Sequence, residues 1–142
     1  MKRAFISYIL LFFLSFLPIS TNADFVENRS INRSEMTRVE IIQIFFFFKK
    51  YEASQGVKLT VVLPPPNSYL FRTLATNELG VSPSQYLNSI RARVIEGSAN
   101  PVWAETEAEI LIKVSNIPYS IGYYYESVKI NDGYGVKTIS IK

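Results

Sequence analysis

Cysteine and histidine are both missing from the 142-residue chain. Without a thiol there is no thiolate nucleophile, no disulfide framework and no thiolate-held metal. Without an imidazole, the side chain that ordinarily titrates near neutrality and the commonest metal ligand are gone as well. The motifs of nucleotide and acyl chemistry are also absent: there is no Walker-type loop, no G-x-S-x-G elbow and no dinucleotide fingerprint. Glu105, Glu107 and Glu109 do not make up the deficit. Alternate positions on a helix face different ways, so these carboxylates cannot converge on one ion or form an acid–base pair, and a solvated face is their expected role. No catalysis, no metal and no cofactor is expected.

An excess of positive charge is scarce too, once its position is considered. The chain carries 15 Lys+Arg against 12 Asp+Glu, but Lys2 and Arg3 belong to an N-terminal leader. After them comes an apolar run from Ala4 to Leu17, broken only by Ser7, Tyr8 and Ser15, then Pro18, then Thr21-Asn22-Ala23 with small residues at the −3 and −1 positions. This is the layout of a secretory signal peptide over residues 1–23, cleaved before Asp24. The apolar run falls short of the roughly 20 residues that span a bilayer, which argues against a retained anchor. No cysteine follows it to carry a lipid. Without the leader, 13 basic residues face 12 acidic ones, so nothing in the charge favours nucleic acid. Export combined with a disulfide-free composition points to a bacterial periplasm.

What remains, residues 24–142, has the length and composition of one domain. Hydrophobic residues make up 48% of the chain and charged ones 19%, enough for a core without disulfides. Asp24 to Arg33 reads as polar and irregular, a flexible lead-in or an edge segment. Ser34 is placed to cap a helix carrying Val39, Ile42, Phe45 and Phe46, and the run Phe45–Phe48 reads as a buried helix end because Glu40 and Gln43 precede it and Lys49-Lys50 follow. Ser54-Gln55-Gly56 marks a turn, Val57 to Leu63 a buried strand, and Pro64-Pro65-Pro66 a rigid bend without N–H donors.

Asn67 or Ser68 then caps a helix through Leu70, Phe71, Leu74 and Leu79 that stops at Gly80. Ser82 caps another, with Pro83 at its first position and Tyr86, Leu87 and Ile90 within it. Arg91 to Ile95 reads as a short strand or extended link, Glu105 to Val114 as an amphipathic helix, Ser120 to Glu126 as a strand, Asn131-Asp132-Gly133 as a turn and Val136 to Ile141 as a terminal strand. Trp103 is expected to be buried. Tyr123 and Tyr125 share one strand face, with their hydroxyl tips exposed. Strands alternating with helices give an α/β class.

Four stretches in this order are similar to the phosphate-type solute-binding proteins of ABC transporters. They are Ser34 to Phe45, a helix ending in Ile-Phe; Gly56 to Val62, the strand after it; Leu79 to Tyr86, common in short members; and Ile117-Pro118-Tyr119-Ser120-Ile121-Gly122-Tyr123, like the family's strand entry. The resemblance implies a single lobe of a type 2 periplasmic-binding-protein domain, a mixed sheet with flanking helices. Family members clamp a ligand between two lobes, and residues 24–142 have room for about one. The family's oxyanion is held by an Arg and a Ser-Gly-Thr between strand and helix. Here Leu63 falls at the Arg and Asn67-Ser68-Tyr69 at the Ser-Gly-Thr.

The resemblance therefore implies an exported, non-catalytic module that binds phosphate or another small oxyanion for a membrane transporter. Asn67, Ser68, Tyr69 and Arg72 are its candidate ligand residues. The alternative is a lobe that has lost its ligand and serves as a protein-interaction or sensory accessory in the cell envelope. Loss of the Arg and Gly favours that alternative, and the Ser retained at a helix start favours the first.

Overall fold

The computed structural model describes residues 23–33, 35–49, 58–126 and 135–142. Most of the leader, the cap assigned to Ser34 and the turns at Ser54-Gln55-Gly56 and Asn131-Asp132-Gly133 lie outside them.

The first correction is at the start. Ala23–Asn28 is strand β1, an inner strand of the main sheet, neither a flexible lead-in nor an edge segment. It runs antiparallel to β5 (Ser120–Tyr125) on one side, pairing Phe25 with Tyr123 and Glu27 with Ile121. On the other side it runs antiparallel to β6 (Val136–Thr138), pairing Glu27 with Lys137. The strand is concealed in the sequence because Glu27 and Asn28 are polar, yet both are buried. Asn28 earns its place through hydrogen bonds: Nδ2 donates to the Val114 carbonyl (2.8 Å) and the Ser115 carbonyl (3.1 Å), and Oδ1 accepts from the Ser30 amide (2.9 Å).

Two more strands complete this sheet, β3 (Thr60–Leu63) and β4 (Val102–Trp103), in the order β4-β3-β5-β1-β6. β3 is parallel to both of its neighbours, so the sheet is mixed. A separate parallel ladder joins β2 (Glu35–Met36) to β7 (Ser140–Ile141), splitting the expected terminal strand in two. Because Glu35 and Met36 are committed to that ladder, helix α1 (Arg38–Phe45) starts later than Ser34 would place it. Its cap is Thr37, whose Oγ1 accepts from the Glu40 amide at 3.2 Å.

Helices cover both faces. Phe25 meets Phe45 of α1 and Tyr123, with ring centroids 5.0 Å apart in each pair. Val26 points the opposite way, toward α4 (Glu109–Asn116). There a Cβ on Gly122 would lie 2.9 Å from Val114 Cγ2, so a glycine is what lets helix and sheet approach. Phe45 is fully buried, Phe46 half-buried against Tyr86, and Phe47 44% exposed.

Helix α2 (Tyr69–Thr73) widens into a π-helical turn over Leu74–Glu78, and Gly80, at φ 70°, lies just beyond it. Helix α3 (Pro83–Ile95) opens with the expected Ser82 cap and Pro83, reinforced by a capping box with Gln85. It continues through Arg91 to Ile95, which are therefore neither strand nor link. Gly97, at φ 76°, ends it: the Gly97 amide donates to the Val94 carbonyl and the Ser98 amide to the Arg93 carbonyl, a Schellman closure. Helix α4 starts four residues after Glu105. Glu105–Ala108 is a turn instead, in which the Glu109 carboxylate accepts from the Glu105 amide at 3.0 Å. Among the described residues no helix is long and apolar enough to cross a membrane.

Candidate binding site

The parallel strands β3, β4 and β5 end on the same rim, and the chain enters α2 there. Ligands of open α/β sheets collect outside the carboxyl ends of their strands. β3 carries Val62 and the fully buried Leu63 to the edge, and Pro64 and Pro65, also buried, turn the chain without needing partners for N–H groups. Ser68 follows at φ −82° and ψ 159°, the extended geometry of an N-cap.

The Ser68 hydroxyl is used twice. Oγ accepts from the Phe71 amide at 3.1 Å and donates to the Pro65 carbonyl at 2.7 Å, so the cap locks the helix start onto the proline bend. Asn67 is exposed beside it. Tyr69 is 39% exposed and its ring lies parallel to that of Tyr125, 6.3 Å between centroids with 12° between planes. Arg72 is exposed one turn along, on the side of the helix reached at i+3 and i+4 from Tyr69 and Ser68. The structure thus brings Asn67, Ser68 and Tyr69 together at one helix start, with Arg72 one turn along the same helix.

The rest of the rim is tyrosine and carboxylate, a feature that residue spacing did not disclose. The hydroxyl tips expected to be exposed are bonded to carboxylates: Tyr123 donates to Glu78 Oε1 at 3.3 Å and Tyr125 donates to Glu107. Burial first, and the neighbouring carboxylate second, pushes both phenols well above the ordinary tyrosine range. Glu107 is accordingly half-buried and not part of a solvated helix face. Tyr69, Thr73, Asn77, Glu78, Tyr123 and Glu126 border a polar cavity of about 310 Å³ beside α2. Trp103 is half-buried, 6.0 Å from the Phe71 ring.

A second feature lay hidden in β1. Glu27 has no exposed surface and neither carboxylate oxygen has a hydrogen-bond partner. Lys137 Nζ stands 3.4 Å from Oε1, directly across the strand pair, outside hydrogen-bond geometry. Burial raises the Glu27 pKa to about 7, against the opposing pull of Lys137 and Arg33. Among the described residues no cluster of three or more acidic side chains could hold a metal ion.

Neither a protein-family model nor a curated protein sequence matches the chain. Solved structures do. A substrate-binding protein assigned to a phosphate ABC transporter of Clostridium perfringens, with bound phosphate, superposes at a TM-score of 0.63 and 16% identity, over 84% of this chain and 44% of its own. PstS from Borrelia burgdorferi gives 0.61 and 15% over 84% and 47%. An ABC-type phosphate transport receptor from Vibrio cholerae gives 0.51 and 14% over 84% and 45%. The chain spans less than half the length of each. At such identities the likeness shows the fold: the α/β lobe with a mixed sheet that the four sequence stretches implied.

Proposed function

We propose, from a fold shared with phosphate-binding transport proteins, that this chain is a non-catalytic binding lobe exported to the periplasm. In this proposal residues 1–23 are removed as a signal peptide and residues 24–142 act as one lobe. The ligand is phosphate or a similar small oxyanion, delivered to an ABC transporter. The supporting observation is the strand–bend–helix corner, where β3 runs through three prolines into a Ser68-capped helix at the carboxyl rim of the sheet. Asn67, Ser68 and Tyr69 supply polar contacts there and Arg72 the charge. A guanidinium one turn away and open to water is screened, so binding is weak and sensitive to salt.

Calorimetric titration of the exported protein with phosphate and sulfate at low ionic strength tests this. Saturable binding that weakens with added salt and with Arg72→Gln is expected. A flat titration on protein that still unfolds cooperatively overturns it.

A second reading has its own observation. The Ser68 proton is spent on Pro65, and fully buried Leu63 stands at the family's Arg position. These favour a lobe that works through a protein partner in the cell envelope, a transporter subunit or a sensor. A flat titration together with stoichiometric co-purification of such a membrane protein supports it.

A further inference from the structure

The polar cavity beside α2 is chemically one-sided. Tyr123 spends its phenol proton on Glu78, so its oxygen keeps lone pairs only. Glu78 is fixed from two sides, Oε1 by Tyr123 and Oε2 by Arg38 at 3.6 Å. Glu126, just past the end of β5, is exposed and makes no ion pair among the described residues. The Asp24 carboxylate is near enough to act on the Tyr123 phenol. Among the described residues no lysine or arginine borders the cavity.

Thr73 adds an independent sign. It borders the cavity and is only 8% exposed. A helical threonine often returns its hydroxyl to the carbonyl one turn back, as Thr76 does to Arg72 at 2.8 Å. The Thr73 hydroxyl makes no hydrogen bond among the described residues. Nor is its oxygen sealed in the core, where the unpartnered buried atoms belong to Glu27, Glu40 and Arg93. The side left open to it is the cavity, and a buried hydroxyl in that state calls for a partner.

Two carboxylates, a phenol oxygen and a hydroxyl, all able to accept, suit a guest with positive charge, several donors and no acceptor. An ammonium is such a group. An oxyanion has the opposite pattern, so the cavity is no extension of the Asn67–Arg72 corner, with which it shares only Tyr69. We propose that the cavity bounded by Thr73, Glu78, Tyr123 and Glu126 is a binding site for a primary ammonium group. Two sources present one. The first is a small organic amine in solution. The second is the chain's own α-amino group, which removal of residues 1–23 places on Asp24, next to the Ala23 position that borders the cavity. Only the second rests on the leader cleavage proposed above.

NMR titration of the exported protein with propylammonium, and with propanol as its uncharged counterpart, tests the site. Saturable shifts at Thr73 and Glu126 are expected with the amine alone. Thr73→Val should weaken binding about tenfold, the worth of one hydrogen bond to a charged group, and Glu126→Gln should weaken it severalfold. Thr73→Ser keeps the hydroxyl and should bind as the parent does, which separates the contact from any change in packing. If the chain's own terminus fills the cavity, added amine has no effect; the Asp24 α-ammonium then titrates above its ordinary value of about 8 and returns to it in Glu126→Gln. A cavity that takes neither overturns the inference, as does amine binding indifferent to Thr73→Val. No oxyanion is added, so a flat phosphate titration leaves this result standing.

Discussion

Two polar corners of this molecule stand in opposite conditions. At the end of β3, Ser68 is locally satisfied: its hydroxyl gives to Pro65 and takes from Phe71, three residues away on either side. In the middle of β1, Glu27 is fully buried with neither oxygen hydrogen-bonded and a lysine 3.4 Å off across the sheet. The corner that drew attention in the sequence is electrostatically quiet, whereas the stretch that read as filler carries the tension. A short-range cap completes its own hydrogen bonds as the helix forms. A carboxylate placed by long-range strand pairing goes wherever the register takes it and depends on residues more than a hundred positions away.

The largest expected effect lies at Glu27. Its pKa rises from 4.5 to about 7 on folding, so between those values the folded state binds a proton that the unfolded chain has released. The stabilisation is therefore full below pH 4.5 and is lost as pH rises through about 7. At about 1.4 kcal/mol per unit the swing is on the order of 3 kcal/mol. Urea unfolding at acid, neutral and alkaline pH should show the decline, and Glu27→Gln should flatten it. A profile unchanged by that substitution would mean that Glu27 is ionised and well paired in the fold, and the contrast with Ser68 would vanish.

A middling effect is expected at Gly122, where an added methyl meets Val114 at 2.9 Å. Gly122→Ala should destabilise by roughly 1–3 kcal/mol, the usual cost of overpacking, read as a lower unfolding midpoint with an unchanged m-value. The smallest effects belong to the quiet corner. Ser68→Ala should cost about 1 kcal/mol as a lost cap, whereas Arg72→Gln should leave the thermal midpoint within the scatter of about 0.5 kcal/mol typical of surface changes. A much larger loss at Ser68 would mean that the proline bend depends on its hydroxyl for more than helix capping.

Legibility followed the same division. Ser68, and Ser82 with Pro83, could be read in advance because a cap needs only the next three residues. So could β3, whose β-branched run ends against prolines. The strand character of Ala23–Asn28 was not legible, since Phe25 and Val26 alone do not outweigh Asp24, Glu27 and Asn28 in a local pattern. Its burial comes from β5 and β6, far along the chain. The extension of α3 to Ile95 was missed because its stop is a glycine two residues on, not a change in hydrophobic period. At the candidate site the Asn67–Arg72 stretch was legible, and the tyrosine–carboxylate rim was not. Glu78 and Glu107 reach Tyr123 and Tyr125 only once π turn, loop and strand are folded together.

The sequence by itself determined that no thiol or imidazole is present in these residues, that Ser68 and Ser82 cap helices and how the ordered motifs run, because composition and capping are local properties. Only the tertiary structure decided that the polar N-terminal stretch is a buried inner strand, that a buried carboxylate without a hydrogen-bond partner sits within it 3.4 Å from Lys137, and that α3 ends in an uncovered apolar face. Each of these depends on which distant segment lies opposite, and strand pairing and helix packing are set by the whole chain at once.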